Sequence, residues 1–224
     1  MSRLSRLLGL AVFAFAVAGA PLARAQTDQQ TLVDRAATTM NDLRNDKAFG
    51  NSRELLQKAR AIMIVPRLYK GGFFVGGEGG DGVLLARTAN GWSYPAFYAL
   101  GSASFGLQIG LQQSEMVMFV LTQKGLNALM QNQFKIGANA GIAVVTLGSS
   151  VEAATTSAVG ADIVVWASSS GAYAGISLNG SVVKSRPEWN RAYYGRPLTT
   201  REVINGHVSN PGASALRSAV AGIR

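Results

Sequence analysis

The stretch at residues 66–82, Pro-Arg-Leu-Tyr-Lys-Gly-Gly-Phe-Phe-Val-Gly-Gly-Glu-Gly-Gly-Asp-Gly, constrains the fold of this chain more than any other. It joins a proline, two cations and a tyrosine to a phenylalanine doublet and then to a run of glycines. Helical periodicity lies before it and strand periodicity after it. Residues 73–77 and 83–87 read as two strands joined through the glycines and Asp81, a hairpin needing unusual φ and ψ. The run also contains a literal G-x-G-x-x-G at Gly77, Gly79 and Gly82. A dinucleotide site needs that motif between a strand and a helix whose N-terminus faces the pyrophosphate. Here the strand-like Val83-Leu84-Leu85-Ala86 follows, and no G-K-[ST] is present, so backbone geometry is the better reading.

Before the junction, Leu32, Ala36, Met40 and Leu43 recur at helical spacing over residues 27–45, with Thr27 or Asp28 as N-cap. A second helix starts from Asn51 or Ser52 and buries Leu55, Leu56 and Ala59. Ile62-Met63-Ile64-Val65 reads as a short strand ending at Pro66. After the junction, Asn90-Gly91 predicts a type I′ hairpin turn. Strands follow at residues 92–99, 102–111 and 115–121, then a short helix capped by Thr122. In residues 136–183 the only charges are Glu152 and Asp162, and the small apolar sequence predicts central strands. A short helix carries Trp189, Tyr193 and Tyr194, and residues 213–220 predict a terminal helix or a mobile tail. Helices first and strands after is an α+β order. The expected architecture is N-terminal helices packed on a largely antiparallel, Gly/Ala-rich β-sandwich or barrel-like core, with short additional helices.

Residues 1–25 read as an export signal. Arg3 and Arg6 precede an apolar run at residues 7–20, and Ala23-Arg24-Ala25 supplies an A-x-A cleavage site. The expected organisation is a signal peptide at 1–25, a domain at 26–205 and a C-terminal tail or short helix at 206–224. The expected location is periplasmic or peripheral to an envelope membrane. The chain has no cysteine, which excludes disulfides, thiolate metal sites, a cysteine nucleophile and a lipoprotein anchor. The formal charge of +9 sits mostly in two blocks, residues 50–70 and 184–224. Nucleic acid is not expected for an exported protein, so acidic polymers or anionic lipid headgroups are the partners such blocks suit.

Catalytic constellations are lacking. His207 is the single histidine, no metal-ligand spacing occurs, Ser104 is outside any G-x-S-x-G, and Glu78 and Asp81 read as solvated turn carboxylates. No enzyme activity and no cofactor are expected. The candidate lipid-binding residues are Arg53, Lys58, Arg60, Arg67, Tyr69 and Lys70. Each cation near an anionic bilayer contributes roughly 1 kcal/mol, and tyrosine suits the interface with its apolar ring and polar hydroxyl. Arg186, Arg191 and Arg196 with Trp189, Tyr193 and Tyr194 form a second basic-aromatic set, in which the aromatics are better used to close the core.

The run at residues 61–82 strongly resembles the SYLF family, lipid-binding domains also described in yeast as actin-binding modules. Gly91-Trp92-Ser93-Tyr94-Pro95, Gly106-Leu107-Gln108-Ile109-Gly110, residues 171–178 and Asn190-Arg191-Ala192-Tyr193-Tyr194-Gly195 extend the resemblance over roughly residues 30–205. It implies a non-enzymatic domain that binds anionic phospholipids, phosphoinositides in eukaryotic members, aided by an N-terminal amphipathic helix and basic residues. Four acids among residues 27–47 (Asp28, Asp34, Asp42 and Asp46) suit that helix poorly to anionic lipid, which moves the expected contact to residues 53–70. The alternative expectation is an envelope protein or acidic polysaccharide bound by the same surface.

Overall fold

The computed structural model describes residues 27–45, 52–72, 75–105, 110–136, 141–146, 160–170, 178, 180–206 and 208–222. The expected export signal and His207 lie outside them, as do most of the 106–110 and 171–178 motifs. Helices α1 (Asp28–Asn45) and α2 (Ser52–Lys58) come first. Strands β1 (Ala61–Gly72), β2 (Val75–Thr88), β3 (Gly91–Trp92), β4 (Ala96–Phe105) and β5 (Gly110–Val120) follow. Then come α3 (Gln123–Leu129), β6 (Gln133–Lys135), β7 (Ile142–Thr146), β8 (Ile163–Ser170) and β9 (Val182–Ser185). The chain closes with α4 (Pro187–Tyr194), α5 (Thr200–Ile204), a 3₁₀ turn (Pro211–Ala213) and α6 (Ser214–Ala221).

The strands form one curled sheet in the order β6-β9-β4-β2-β1-β5-β8-β7, with β3 paired to β2. Every pairing is antiparallel except β7 with β8. Between the two architectures expected, sandwich or barrel-like, the curled single sheet is the second. Both of its faces are covered, which explains the uninterrupted apolar run of β1. Ile62 and Ile64 point to one core with Val83, Leu85, Phe97, Val117, Phe119 and Trp166, closed by α1, α2, α4 and α6. Met63 and Val65 point to a second core with Leu84, Tyr98, Met116, Met118 and Val165, closed by α3, α5 and Phe134.

Local chemistry sets the helix ends. Thr27 Oγ1 accepts from the Gln30 amide at 3.2 Å, Thr122 Oγ1 from Gly125 at 3.0 Å, and Thr199 forms a capping box with Glu202. Proline starts α4, and left-handed Gly195 ends it. Helix α6 joins the first core through Leu216, Ala219 and Val220. Polar bonds tie that C-terminal segment to α1: Gln30 Nε2 donates to Gly212 O at 2.9 Å, and Arg44 Nη2 to Ala219 O at 2.9 Å.

Four expectations change here. The first strand does not stop at Pro66 but runs on to Gly72, because the proline sits in a β-bulge. Against β5, Val65 pairs with Met116 but Leu68 pairs with Ser114, so Pro66 and Arg67 together face Glu115. The same slip occurs against β2, between the pairs Ile64–Val83 and Tyr69–Gly79. A bulge is the place where a central strand tolerates a residue without an N–H. Second, the glycine run is not a connection: β2 is continuous through it, and none of its described glycines has positive φ. Third, the turn after Thr88 has positive φ only at Gly91 (100°), so it is not type I′, and β4 starts later, at Ala96. Fourth, the described strands of residues 136–183 lie toward the sheet's ends, with β7 outermost; the centre is β4, β2, β1 and β5.

Candidate functional site

The bulge of β1 and the first turns of α1 border one open space. The result is a cleft of about 600 Å³ between the first turns of α1, the bulge of β1, the glycine segment of β2 and Trp189 of α4. Clefts of several hundred Å³ are the size that takes small ligands or headgroups. Arg35 enters from the helix and Arg67 from the bulge, with Tyr69 beside it, while Gly79 and Ala99 line it from the sheet. Among the described residues neither guanidinium has a carboxylate within ion-pair distance. Two acids also border the cleft. Asp81 is occupied by Arg186 Nη1 at 2.6 Å, and Arg186 itself lies 3.9 Å over the Trp189 ring. Asp28 stands exposed at the start of α1.

Tyr69 is 49% exposed, the one large apolar side chain so open among the described residues. Its neighbours on the strand alternate. Leu68 is buried in the second core, and Lys70 pairs in register with Glu78 on that same face, away from the cleft. Burial pushes the Glu78 carboxyl above its ordinary range, and Lys70 opposes that shift.

The six residues read as one basic patch therefore divide. Arg67 and Tyr69 line the cleft, and Lys70 faces the other side of the sheet. Arg53 and Lys58 lie on α2, and Arg60 just precedes β1. A strand rises about 3.3 Å per residue, so Arg60 and Arg67, seven residues apart, are at most about 23 Å from each other along the chain. Lys58 is paired with Glu54 one helical turn earlier, and Arg60 Nη1 donates weakly to Gln123 Oε1 at 3.4 Å. Sequence reasoning did not single out Arg35 and placed Trp189 in a second basic-aromatic set with core closure favoured; Asp28, Thr31, Leu32 and Arg35, spaced along one helix face, were the available signal.

Of the second basic-aromatic set, Tyr193 and Tyr194 are spent on packing, while Trp189 borders the cleft and Arg191 and Arg196 are exposed. Tyr193 is buried edge-on against Phe97 at 5.1 Å, and the Tyr194 hydroxyl donates to Pro95 O at 2.6 Å. Burial pushes both phenols well above the ordinary tyrosine range. The apolar face of α1 is likewise consumed, with Val33, Ala36, Met40 and Leu43 all in the first core. That face reaches lipid only by leaving the core, contrary to the role the resemblance implied for it. Glu78 and Asp81 project from opposite faces of β2 and do not converge. No group of three potential metal ligands occurs among the described residues, and no described helix is long and apolar enough to cross a membrane.

A curled sheet covered on both faces, with an open charged cleft where its central strand bulges, has the form of a binding domain. Residues 101–223 match the family described as "Ysc84: Las17-binding protein actin regulator", and the chain belongs to this family, the SYLF family of the sequence resemblance. It is 31% identical over 164 residues to LAS seventeen-binding protein 3 of Saccharomyces cerevisiae, covering 71% of this chain and 36% of the yeast protein. It is 30% identical over 159 residues to SH3 domain-containing YSC84-like protein 1 of Mus musculus, covering 70% of this chain and 46% of the mouse protein. The chain thus spans between a third and a half of these curated relatives. No solved structure matches it.

Proposed function

We propose that this domain is a non-enzymatic, peripheral binder of anionic phospholipid headgroups at an envelope membrane surface. The observation that carries the reading is the cleft at the bulge, where Arg35 and Arg67 reach solvent without a carboxylate partner and Tyr69 stands at their side. Guanidinium groups bind phosphate oxygens through directed, charge-assisted hydrogen bonds. A half-exposed tyrosine fits the boundary between headgroups and water. The α2 cations add general attraction to the same surface charge, with less geometric definition. The signal-like composition of residues 1–25 supports an exported, envelope location.

A second reading, an envelope protein or acidic polysaccharide bound by the same surface, draws on the yeast relative's name as a binder of Las17. Co-sedimentation with vesicles decides between them. Phosphatidylcholine vesicles containing an anionic lipid should bind the protein, and binding should weaken as salt is raised. Equal binding to pure phosphatidylcholine, or none to either, contradicts the proposal. Crosslinking in intact cells that returns one dominant protein partner, together with absent vesicle binding, favours the second reading.

A further inference from the structure

A second open slot, of about 490 Å³, lies near the start of β1, where two helices finish. Its floor is apolar: Leu56 of α2, Trp92 of β3 and Val220 of α6, all buried. Gln57, Arg87 and Ala221 border the same slot and are exposed. Arginines gather here because a helix C-terminus leaves carbonyls without partners, and a cation beside them offsets the negative end of the dipole. Arg87 closes α2, donating through Nε to Ala59 O at 3.0 Å and through Nη2 to Leu56 O at 2.7 Å. Its guanidinium lies 4.6 Å over the Trp92 ring, and Nη1 keeps both of its donors. Arg44 closes α6 in the same way, through Ala219 O. Arg53 stands exposed one turn before Gln57 on the same face of α2. Among the described residues no carboxylate lines the slot, and Glu54 of α2 is paired with Lys58.

We propose that this slot docks an acidic segment of a partner protein, one apolar side chain of which rests on Leu56, Trp92 and Val220 while flanking carboxylates meet Arg44, Arg53 and Arg87. An apolar anchor in a recess, ringed by charges of one sign, is the arrangement that concentrates binding energy at protein interfaces. Charge complementarity fixes the sign of the partner, since the rim is cationic. A bilayer fits the slot less well than a peptide. Its headgroups meet the cations first, and an acyl chain would have to pass them to reach a floor enclosed by two helix ends and a hairpin. A peptide presents its apolar side chain and its carboxylates at one level, side by side. The docking surface is separate from the cleft and does not depend on the headgroup reading, which uses Arg35 and Arg67.

The test titrates the full chain with three fluorescent hexapeptides, a central Leu-Phe pair flanked on each side by two glutamates, two serines or two lysines. The glutamate peptide should bind saturably, the serine peptide at least about tenfold more weakly, and the lysine peptide not at all. Raising salt should weaken the glutamate peptide. Ala221→Phe, which fills the slot from an exposed helix end, and Arg53→Glu, at an exposed cation, should each weaken it at least about tenfold. Arg53→Glu removes no packing, so it keeps the test open where Ala221→Phe melts lower than the parent. Arg35→Gln/Arg67→Gln should leave peptide binding unchanged, and Ala221→Phe should leave vesicle binding unchanged. Equal binding of the glutamate and lysine peptides, no binding of the glutamate peptide, or a loss that follows Arg35 and Arg67 in place of the slot variants overturns the proposal. Vesicle binding lost in folded Ala221→Phe, with no peptide bound, overturns it in favour of lipid in the slot. The headgroup reading is judged apart, by vesicle binding in the Arg35→Gln/Arg67→Gln variant.

Discussion

The two ends of β1 carry similar residues in different settings. At its start, Arg53, Lys58 and Arg60 lie at the surface, one already paired with Glu54. Toward its far end, Arg67 and Tyr69 are positioned by a bulge, and a helix from elsewhere in the chain supplies Arg35. Charge density along the sequence does not separate these cases. What separates them is whether the backbone departs from regular geometry, because a bulge re-aims side chains and opens room between packed layers.

The sharpest way to break this comparison is at the bulge itself. Gly80→Ala forces a Cβ onto Arg67 O, and we expect a loss of about 3 kcal/mol or more in chemical denaturation. Gly79→Ala, one residue away, should be neutral or stabilising by up to about 1 kcal/mol. Equal effects would remove the distinction between the two faces of β2. Next in size is binding. Replacing Arg35 and Arg67 by glutamine should weaken vesicle affinity at least about tenfold, whereas replacing Arg53, Lys58 and Arg60 should change it only about twofold to fivefold at physiological salt. The reverse order would return the site to α2.

The smallest effect concerns Glu115, the residue facing the bulge. Burial raises its carboxyl above the ordinary glutamate range, the Thr39 hydroxyl donating at 3.0 Å lowers it, and Asp42 raises it again. A raised acid binds its proton more tightly in the folded state. Its contribution therefore favours folding at low pH and diminishes as pH climbs from the ordinary glutamate range through the raised value. Glu115→Gln should flatten part of that slope and stabilise the neutral-pH protein by less than about 1 kcal/mol, read from melts across that pH range. A steeper slope in the variant would contradict the assignment. Glu78, raised mainly by burial, should supply a second part of the same slope.

Much of the fold was legible because it is written in local patterns. The helical spacing from Leu32 to Leu43 and the caps at Thr27 and Thr122 predicted helices where they occur. The switch to strand patterning after residue 72 marked the sheet. The bulge was not legible, because Pro66 looks like a stop until its pairing with both β2 and β5 is known. The glycine run misled for a related reason. Its glycines answer close approach on one face and open space on the other, and neither appears in a linear motif. Of the candidate site, Arg67 and Tyr69 were found from composition. Arg35 and the cleft role of Trp189 were not, since they arrive from elements far away in sequence.

On the proposed reading the cleft at the bulge, and not the α2 cations, holds the anionic headgroup. Photocrosslinking tests it most directly, using vesicles that carry an anionic lipid with a photoreactive headgroup and mapping the label by proteolysis and mass spectrometry. Label is expected on peptides from the first turns of α1 and from the segment containing Arg67 and Tyr69. Label concentrated around Arg53, Lys58 and Arg60, or spread evenly over the basic surface, would contradict it.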